Sequence, residues 1–258
     1  METLTTLFTP HGNSTQWLAI AIIFLLAGMV KGVIGLGLPT VAIALLSLSM
    51  TTMQAAALLF LPSLLTNIWQ LAYGTELLPL LRRLFPMLLG ICLGTFVSGL
   101  LFSKPDQAWS SAGLGVALLL YGVMGLASVH WQVSTQTERR LAPVIGIATG
   151  MVTASTGVFV LPSVPFLQAL NLDKDKLVQA MGLSFTVSTL ALGINLYDSG
   201  TLQWNIAGDS MLALLPALAG MQLGQVIRDK MQPALFKRCF FIGLLALGIH
   251  YLWGAVKS

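Results

Sequence analysis

Long stretches without a single charged side chain constrain this chain more than any other feature. Six of them, each 18 to 21 residues long, lie at 53–73, 84–103, 109–129, 177–197, 210–227 and 239–256. A helix needs about 20 apolar residues to cross a membrane. Only 9% of the side chains are charged, against about 25% in soluble domains. The sequence therefore predicts an all-α, polytopic transmembrane protein, since strands of a β-barrel would appear as short alternating segments.

The sequence also repeats itself. The pattern Gly-Met-Val-x-x-x-x-Gly occurs at 28–35 and again at 150–157. "QAAAL" at 54–58 matches "QAMGL" at 179–183, and "PMLLGICLG" at 86–94 matches "PALAGMQLG" at 216–224. The matches keep the same order along the chain, which is the sign of a duplication. We predict one transmembrane domain over 1–258, with repeats at about 17–129 and 141–256 joined by a linker at 130–140.

The first element of each repeat is too long to be one straight helix. Segment 17–49 has 33 residues with Lys31 as its only charge, and segment 141–172 has 32 residues with no charge. A continuous helix of that length would measure about 48 Å, against about 30 Å of hydrocarbon core. Glycines and a proline, Pro39 or Pro162, lie near the middle of each, where a helix would break. Each element is therefore predicted to be a broken helix or a hairpin.

The distribution of Lys and Arg distinguishes these two possibilities. If both long elements cross the membrane, five Lys and Arg fall on one side and seven on the other. If both turn back, ten fall on one side and only Lys104 and Lys257 on the other. A strong bias is what the cytoplasmic face of a membrane protein shows. We therefore predict a hairpin and three full spans per repeat, with the two repeats in inverted topology, as in many secondary transporters.

Lys31 is the one charged residue within the predicted membrane interior. A lysine at mid-membrane costs about 3 kcal/mol on insertion scales, and the sequence offers no acidic residue at the same depth. The missing counter-charge could be an anionic substrate. Two other interpretations stay open: Lys31 has a structural or gating role, or its long side chain reaches the membrane surface.

Polar and flexible groups near the two breaks are the other candidates for substrate binding. Glycines free backbone N–H groups at a broken helix, whose N-terminus attracts anions, and hydroxyl and amide groups can bind oxyanion oxygens. Close helix packing explains the glycines equally well, and a structural role suits the amides. The complete set of predicted substrate-binding residues is Lys31, Gly32, Gly35, Gly37, Pro39, Gln54, Asn67, Thr153, Ser155, Thr156, Gly157, Gln179, Ser184 and Asn195.

The sequence contains no arrangement typical of catalysis. It has no nucleophile motif, no paired carboxylates and no Walker motif, so we predict no enzyme, no catalytic residue, no metal and no cofactor. The expected partners are a small anion and membrane lipid, and no nucleic acid; a coupling ion and a homodimer stay open. The function predicted from the residues is secondary anion transport by alternating access. The alternatives are an anion channel, or transport of another small solute by the same fold.

The duplicated pattern resembles a known family. In the first half the resemblance depends on Gly28, Gly35, Gly37 and Pro39 with "QAAALLFLPSLLTN"; in the second it depends on 150–162 with "QAMGLSFTVSTL" and "YDSGTLQW". These features, in this order over 17–256, resemble the sulfite exporter TauE/SafE family, also called TSUP. The resemblance implies a multi-pass carrier of the bacterial inner membrane for small sulfur-containing or organic anions such as sulfite, sulfonates or sulfoacetate.

Overall fold

The fold of the computed structural model consists of helices and their connections. The structure describes residues 14–72, 74–101, 107–127, 132–202, 204–230 and 233–257. Within these ranges it contains ten α-helices and no strand: α1 Ser14–Ile34, α2 Leu38–Leu46, α3 Thr52–Ala72, α4 Leu77–Leu101, α5 Gln107–Ala127, α6 Thr135–Thr156, α7 Ser163–Ala169, α8 Lys174–Asp198, α9 Trp204–Lys230 and α10 Pro233–Lys257. Seven of them, α1, α3, α4, α5, α8, α9 and α10, are long and apolar enough to span a membrane. The prediction of an all-α polytopic protein is confirmed.

Both long elements break where their glycines lie. Helix α1 ends at Ile34, and α2 begins after Gly35 and Gly37, whose φ angles of 81° and 102° lie in the left-handed region. Glycine adopts this conformation without the steric penalty of a side chain. Helix α6 ends in the same way at Gly157, with a φ of 71°, and α7 begins at Ser163. The short helices α2 and α7 are almost entirely buried.

The second hairpin returns to the end of the molecule from which it starts. The backbone N–H of Val133, two residues before α6, donates to the carbonyl of Ala169 at the end of α7, at 3.0 Å. Helix α6 is about 33 Å long at 1.5 Å per residue, so the chain from Gly157 to Ala169 must run back along most of that length. Residues 135–140, which fall in the predicted linker 130–140, form the first turns of α6.

Helix α2 runs alongside α10. A side chain at Gly37, before the start of α2, would lie against Phe240 near the start of α10. Toward the other end of both helices, the hydroxyl of Tyr251 donates to the carbonyl of Ala44 at 2.6 Å. Helix α2 therefore points in the same direction as α10, and its C-terminal turn is fixed by a side chain of the second half.

Four pairs of long helices form the framework. Helices α1 and α9 run parallel, as do α4 and α6; helices α3 and α8 run antiparallel, as do α5 and α10. The direction of α3 and α8 follows from two contacts: Gly74 lies against Gln179, and Gly193 lies against Phe60. Because α3 and α8 occupy matching places in the two predicted repeats, as do α5 and α10, their antiparallel directions are those that inverted repeats require. The two-repeat organisation itself stays a prediction.

The two parallel pairs make their closest contact at glycines. At Gly28 and Gly32 of α1, an added Cβ would collide with backbone carbonyls of Ala217 and Met221 in α9. At Gly146 and Gly150 of α6, an added Cβ would collide with the backbone carbonyls of Met87 and Ile91 in α4. Such spacing allows helix backbones to approach closely in a membrane, where packing replaces the hydrophobic effect as the driving force.

Ion pairs gather at one end of the bundle. The guanidinium of Arg83 donates to both carboxylate oxygens of Glu138, at 2.7 and 2.8 Å, and thereby joins the first turns of α4 and α6. Lys176 at the start of α8 pairs with Glu76 at 3.1 Å, in the connection between α3 and α4. These contacts place the starts of α4, α6 and α8 at the same end, as the hairpin topology requires.

Candidate substrate site

The side chain of Lys31 lies inside the protein rather than at its surface. Lys31 is only 6% exposed. Its Nζ donates to Oγ1 of Thr66 at 3.0 Å and to Oδ1 of Asn67 at 2.7 Å, both on α3. The ion pairs of Arg83 and Lys176 lie at one end of the bundle and do not include Lys31. Lys31 is therefore solvated by neutral oxygens and lacks a carboxylate partner within the described ranges.

Two of the three N–H bonds of a protonated Lys31 are occupied by these acceptors. An ammonium group has three donors and no acceptor, so one donor remains. Placing the charge in this environment costs free energy, and hydrogen bonds to neutral groups offset only part of that cost. A bound anion would supply both the missing acceptor and the missing negative charge.

A chain of polar side chains leads from Lys31 to the second half. The amide of Asn67 donates to Oγ of Ser63 at 3.1 Å, and Oγ of Ser63 lies 3.4 Å from Oγ1 of Thr189 on α8. Asn67 is 0% exposed, and its carbonyl oxygen accepts from Lys31, so its orientation is determined at both ends. The path connects α1, α3 and α8 at the place where the two halves meet.

A small cavity lies at the end of this path. Its lining combines side chains of α2, α3 and α8 with the residues at the break of the second hairpin: Ile43, Ala56, Leu59, Phe60, Ser63, Gly157, Phe159, Thr189 and Leu192. The volume open to the centre of a water molecule is about 10 Å³, so the cavity has room for roughly one water. The protein is closely packed here, so binding of a larger solute at this cavity would require movement of α2, α3 or α8.

Several of the predicted residues meet near Lys31. Asn67 contacts it directly, Gly35 and Gly37 form the break one turn later, and Pro39 lies in the first turn of α2. Gly157 borders the cavity. Gly32 lies one residue after Lys31, but its surface is packed against α9.

The hydroxyl groups of the second hairpin turn back onto their own helix. Thr153 donates to Thr149 O at 2.7 Å, Ser155 to Met151 O at 2.7 Å, and Thr156 to Val152 O at 2.7 Å. Oγ1 of Thr156 also accepts from the N–H of Val158.

The predicted amides and the remaining serine have separate surroundings. Gln179 donates to Leu71 O and accepts from the N–H of Glu76, so it binds the end of α3. Asn195 donates to Thr95 O on α4 at 2.8 Å. Oγ of Ser184 is buried and has no partner within the described ranges.

Gln54 closes a cap at the start of α3. Its Oε1 accepts from the N–H of Thr51 at 3.0 Å, and Oγ1 of Thr51 accepts from the N–H of Gln54 at 3.2 Å. This reciprocal pair is a capping box of the form Thr-x-x-Gln. We expect Gln54→Ala to lower the free energy of unfolding by about 1 kcal/mol and to leave the KM for the transported anion unchanged. Thermal unfolding in detergent and uptake kinetics measure the two quantities; a raised KM at unchanged stability would contradict this assignment.

Three residues of the Lys31 network are absent from the predicted set: Ser63, Thr66 and Thr189. Ser63 and Thr66 lie within "PSLLTN", one turn and one residue before Asn67. A polar stripe at this helical spacing inside an apolar span was the available signal. Thr189 offered no such signal, because its contact with Ser63 joins residues 126 positions apart.

The helices and their internal polar network define a polytopic α-helical membrane protein with a charged group held inside the bundle. The family described as Sulfite exporter TauE/SafE matches residues 20–251, nearly the whole chain, and the chain belongs to this family. The family is one of membrane transporters for sulfur-containing anions. Neither the curated proteins nor the solved structures gave a match.

Proposed function

We propose that this protein is a secondary transporter that moves a small anion across a bacterial inner membrane by alternating access. The anion would be sulfite, a sulfonate such as sulfoacetate, or a related organic anion. The observation that supports this most strongly is the buried Lys31, which has neutral partners on one side and an unused donor. In the proposed complex, the ammonium group and the backbone at the first break bind the anion.

The packing of the halves supports the mechanism. The polar path from Lys31 to Thr189 passes between α3 and α8, which are antiparallel and belong to different halves. In inverted-repeat transporters, substrate sites lie at such an interface and broken helices line them. Rocking of one half against the other would expose the Lys31 region to each side in turn.

Counterflow in proteoliposomes tests this proposal. Purified protein is reconstituted and loaded with unlabelled sulfite, sulfoacetate, taurine or lactate in separate samples, and labelled anion is added outside. A carrier gives saturable uptake and transient accumulation of label driven by the opposite gradient. A flux that rises linearly with concentration and shows no counterflow would support the alternative, an anion channel. No protein-dependent flux with any of the four solutes would contradict anion transport.

A further inference from the structure

The break before α2 and the first turn of this helix contain backbone donors without acceptors. Within the described ranges, the N–H groups at positions 36–38 and 40 have no hydrogen-bond partner. The first bonded N–H of this helix is that of Val41, which donates to Gly37 O at 2.8 Å. All four unbonded positions are buried. Buried N–H groups without an acceptor are rare in proteins, so this turn is suited to binding an acceptor from outside the chain.

Thr40 adds a side-chain donor at the same place. It is 0% exposed, and its Oγ1 has no partner within the described part of the chain. Other buried threonines, such as Thr66 and Thr153, bond back to a carbonyl one turn earlier. In a helix the Cα–Cβ bond tilts toward the N-terminus, and Thr40 is the third residue of α2. Its hydroxyl therefore lies on the side of the unbonded N–H groups.

Some helices of this chain begin with a side-chain cap, and others, such as α7 and α8, begin without one. Helix α3 has the box of Thr51 and Gln54, and Ser134 caps α6. The N-cap of α2 is Gly37, which has no side chain to serve as a cap. Beside it, a Cβ added at Gly35 would meet no atom of the described residues within 4 Å, which leaves open space next to the turn.

We propose that the break before α2 and the first turn of this helix form an oxyanion subsite, in which the N–H groups at 36–38 and 40 and the hydroxyl of Thr40 bind oxygens of the transported anion. This rests on the proposed function. The groups are all donors, and the N-terminus of α2 is the positive end of its dipole, so an anion oxygen is the matching acceptor. Lys31 lies one turn before the break, since its carbonyl accepts from the N–H of Gly35 at 2.8 Å. In the proposed site, an anion with several oxygens contacts both groups.

Thr40→Val tests the subsite, because valine keeps the shape of threonine and removes the hydroxyl. We expect the KM for sulfite or sulfoacetate counterflow to rise about 5- to 10-fold, with a maximal rate within twofold of wild type. Thr40→Ser restores the hydroxyl and is expected to stay near the wild-type KM. Thr52→Val is the matched control. Thr52 is also buried, its Oγ1 also has no partner among the described residues, and it also lies in the first turn of a helix, but that helix, α3, has a capped start.

The outcomes separate the subsite from the transport function. An unchanged KM in Thr40→Val, or an equal rise in Thr40→Val and Thr52→Val, would overturn the subsite while transport by wild type stands. A wild-type protein that carries none of the four solutes, sulfite, sulfoacetate, taurine and lactate, would overturn the proposed function and the subsite with it. If Thr40→Val does not fold, Thr40→Ala is measured in its place, with the same expected rise in KM.

Discussion

Lys31→Met is expected to reduce anion uptake by about 10- to 100-fold. Methionine keeps the length and apolar stem of lysine but removes the charge and all three donors. A hydrogen bond to a charged group contributes about 1.5–3 kcal/mol, and each 1.4 kcal/mol is a factor of ten. Because Lys31 is held by Thr66 and Asn67 at 3.0 and 2.7 Å, its Nζ is already positioned to receive a substrate. Initial uptake rates in proteoliposomes measure the effect.

Two controls separate a lost ligand from a misfolded protein. Lys237→Met makes the same chemical change at an exposed position in α10 and is expected to leave uptake unchanged. The thermal midpoint of Lys31→Met in detergent should remain near that of wild type, because the removed desolvation cost of the buried charge offsets the lost hydrogen bonds to Thr66 and Asn67. Wild-type uptake by a folded Lys31→Met protein would show that the lysine has a structural role.

Gly150→Ala is expected to destabilise the protein by about 1–3 kcal/mol, the usual cost of overpacking. The new methyl group would meet the carbonyl of Ile91 and the N–H of Thr95, which lies 2.6 Å from the Cβ position. Backbone atoms cannot rotate away, so α4 and α6 must separate. Gly32→Ala, where the methyl group would meet Met221 in α9, is expected to have a similar effect. The midpoint of thermal unfolding in detergent measures both.

Gly243 provides the matched control for these substitutions. It is also a helical glycine, but an added Cβ there meets no atom within 4 Å in the part of the chain that the structure describes. Gly243→Ala should stabilise the protein slightly, by up to about 1 kcal/mol, because alanine is the better helix former. The two sites are thus expected to respond with opposite sign. Equal effects at Gly150 and Gly243 would contradict the close helix crossings.

Apolar length and helix breakers in the sequence predict most of the fold. The spans follow from charge-free segments, and the breaks follow from Gly35, Gly37 and Gly157, whose positive φ angles end α1 and α6. These features are local, since they depend on the composition of one segment and on the conformations that its residues can adopt. The position of Lys31 inside an apolar element is also local, but the sequence left open whether its side chain reaches the membrane surface, and the structure places that side chain inside the protein.

Contacts between distant segments were harder to predict. The sequence repeat pairs Gly28 with Gly150, but in the packing Gly28 corresponds to Gly146: the first contacts Ala217 and the second contacts Met87, at matching places in α9 and α4. The repeated motif determines where each helix breaks. The crossing uses whichever glycines face the partner, and in α6 these lie one turn farther from the break.

The two matched glutamines also make contacts that their places in the sequence do not predict. Gln54 and Gln179 occupy equivalent places in the repeated sequence, yet Gln54 caps its own helix whereas Gln179 binds the end of α3 across the interface. Which partner an amide finds depends on the rotation of its helix and on the length of the preceding connection. The hydrogen bonds of Lys31 to Thr66 and Asn67 likewise join residues 35 and 36 positions apart in the sequence.

Lys31 is the proposed counter-charge of the transported anion. Stabilisation of the protein by added ligand tests this role most directly. Purified wild type, Lys31→Met and Lys237→Met are titrated with sulfite while the thermal midpoint is followed. A ligand at 100 times its Kd stabilises the folded state by about 2.7 kcal/mol. We predict a saturating rise in the midpoint for wild type and Lys237→Met, and none for Lys31→Met. An equal rise in all three proteins would contradict a role for Lys31 in binding the anion.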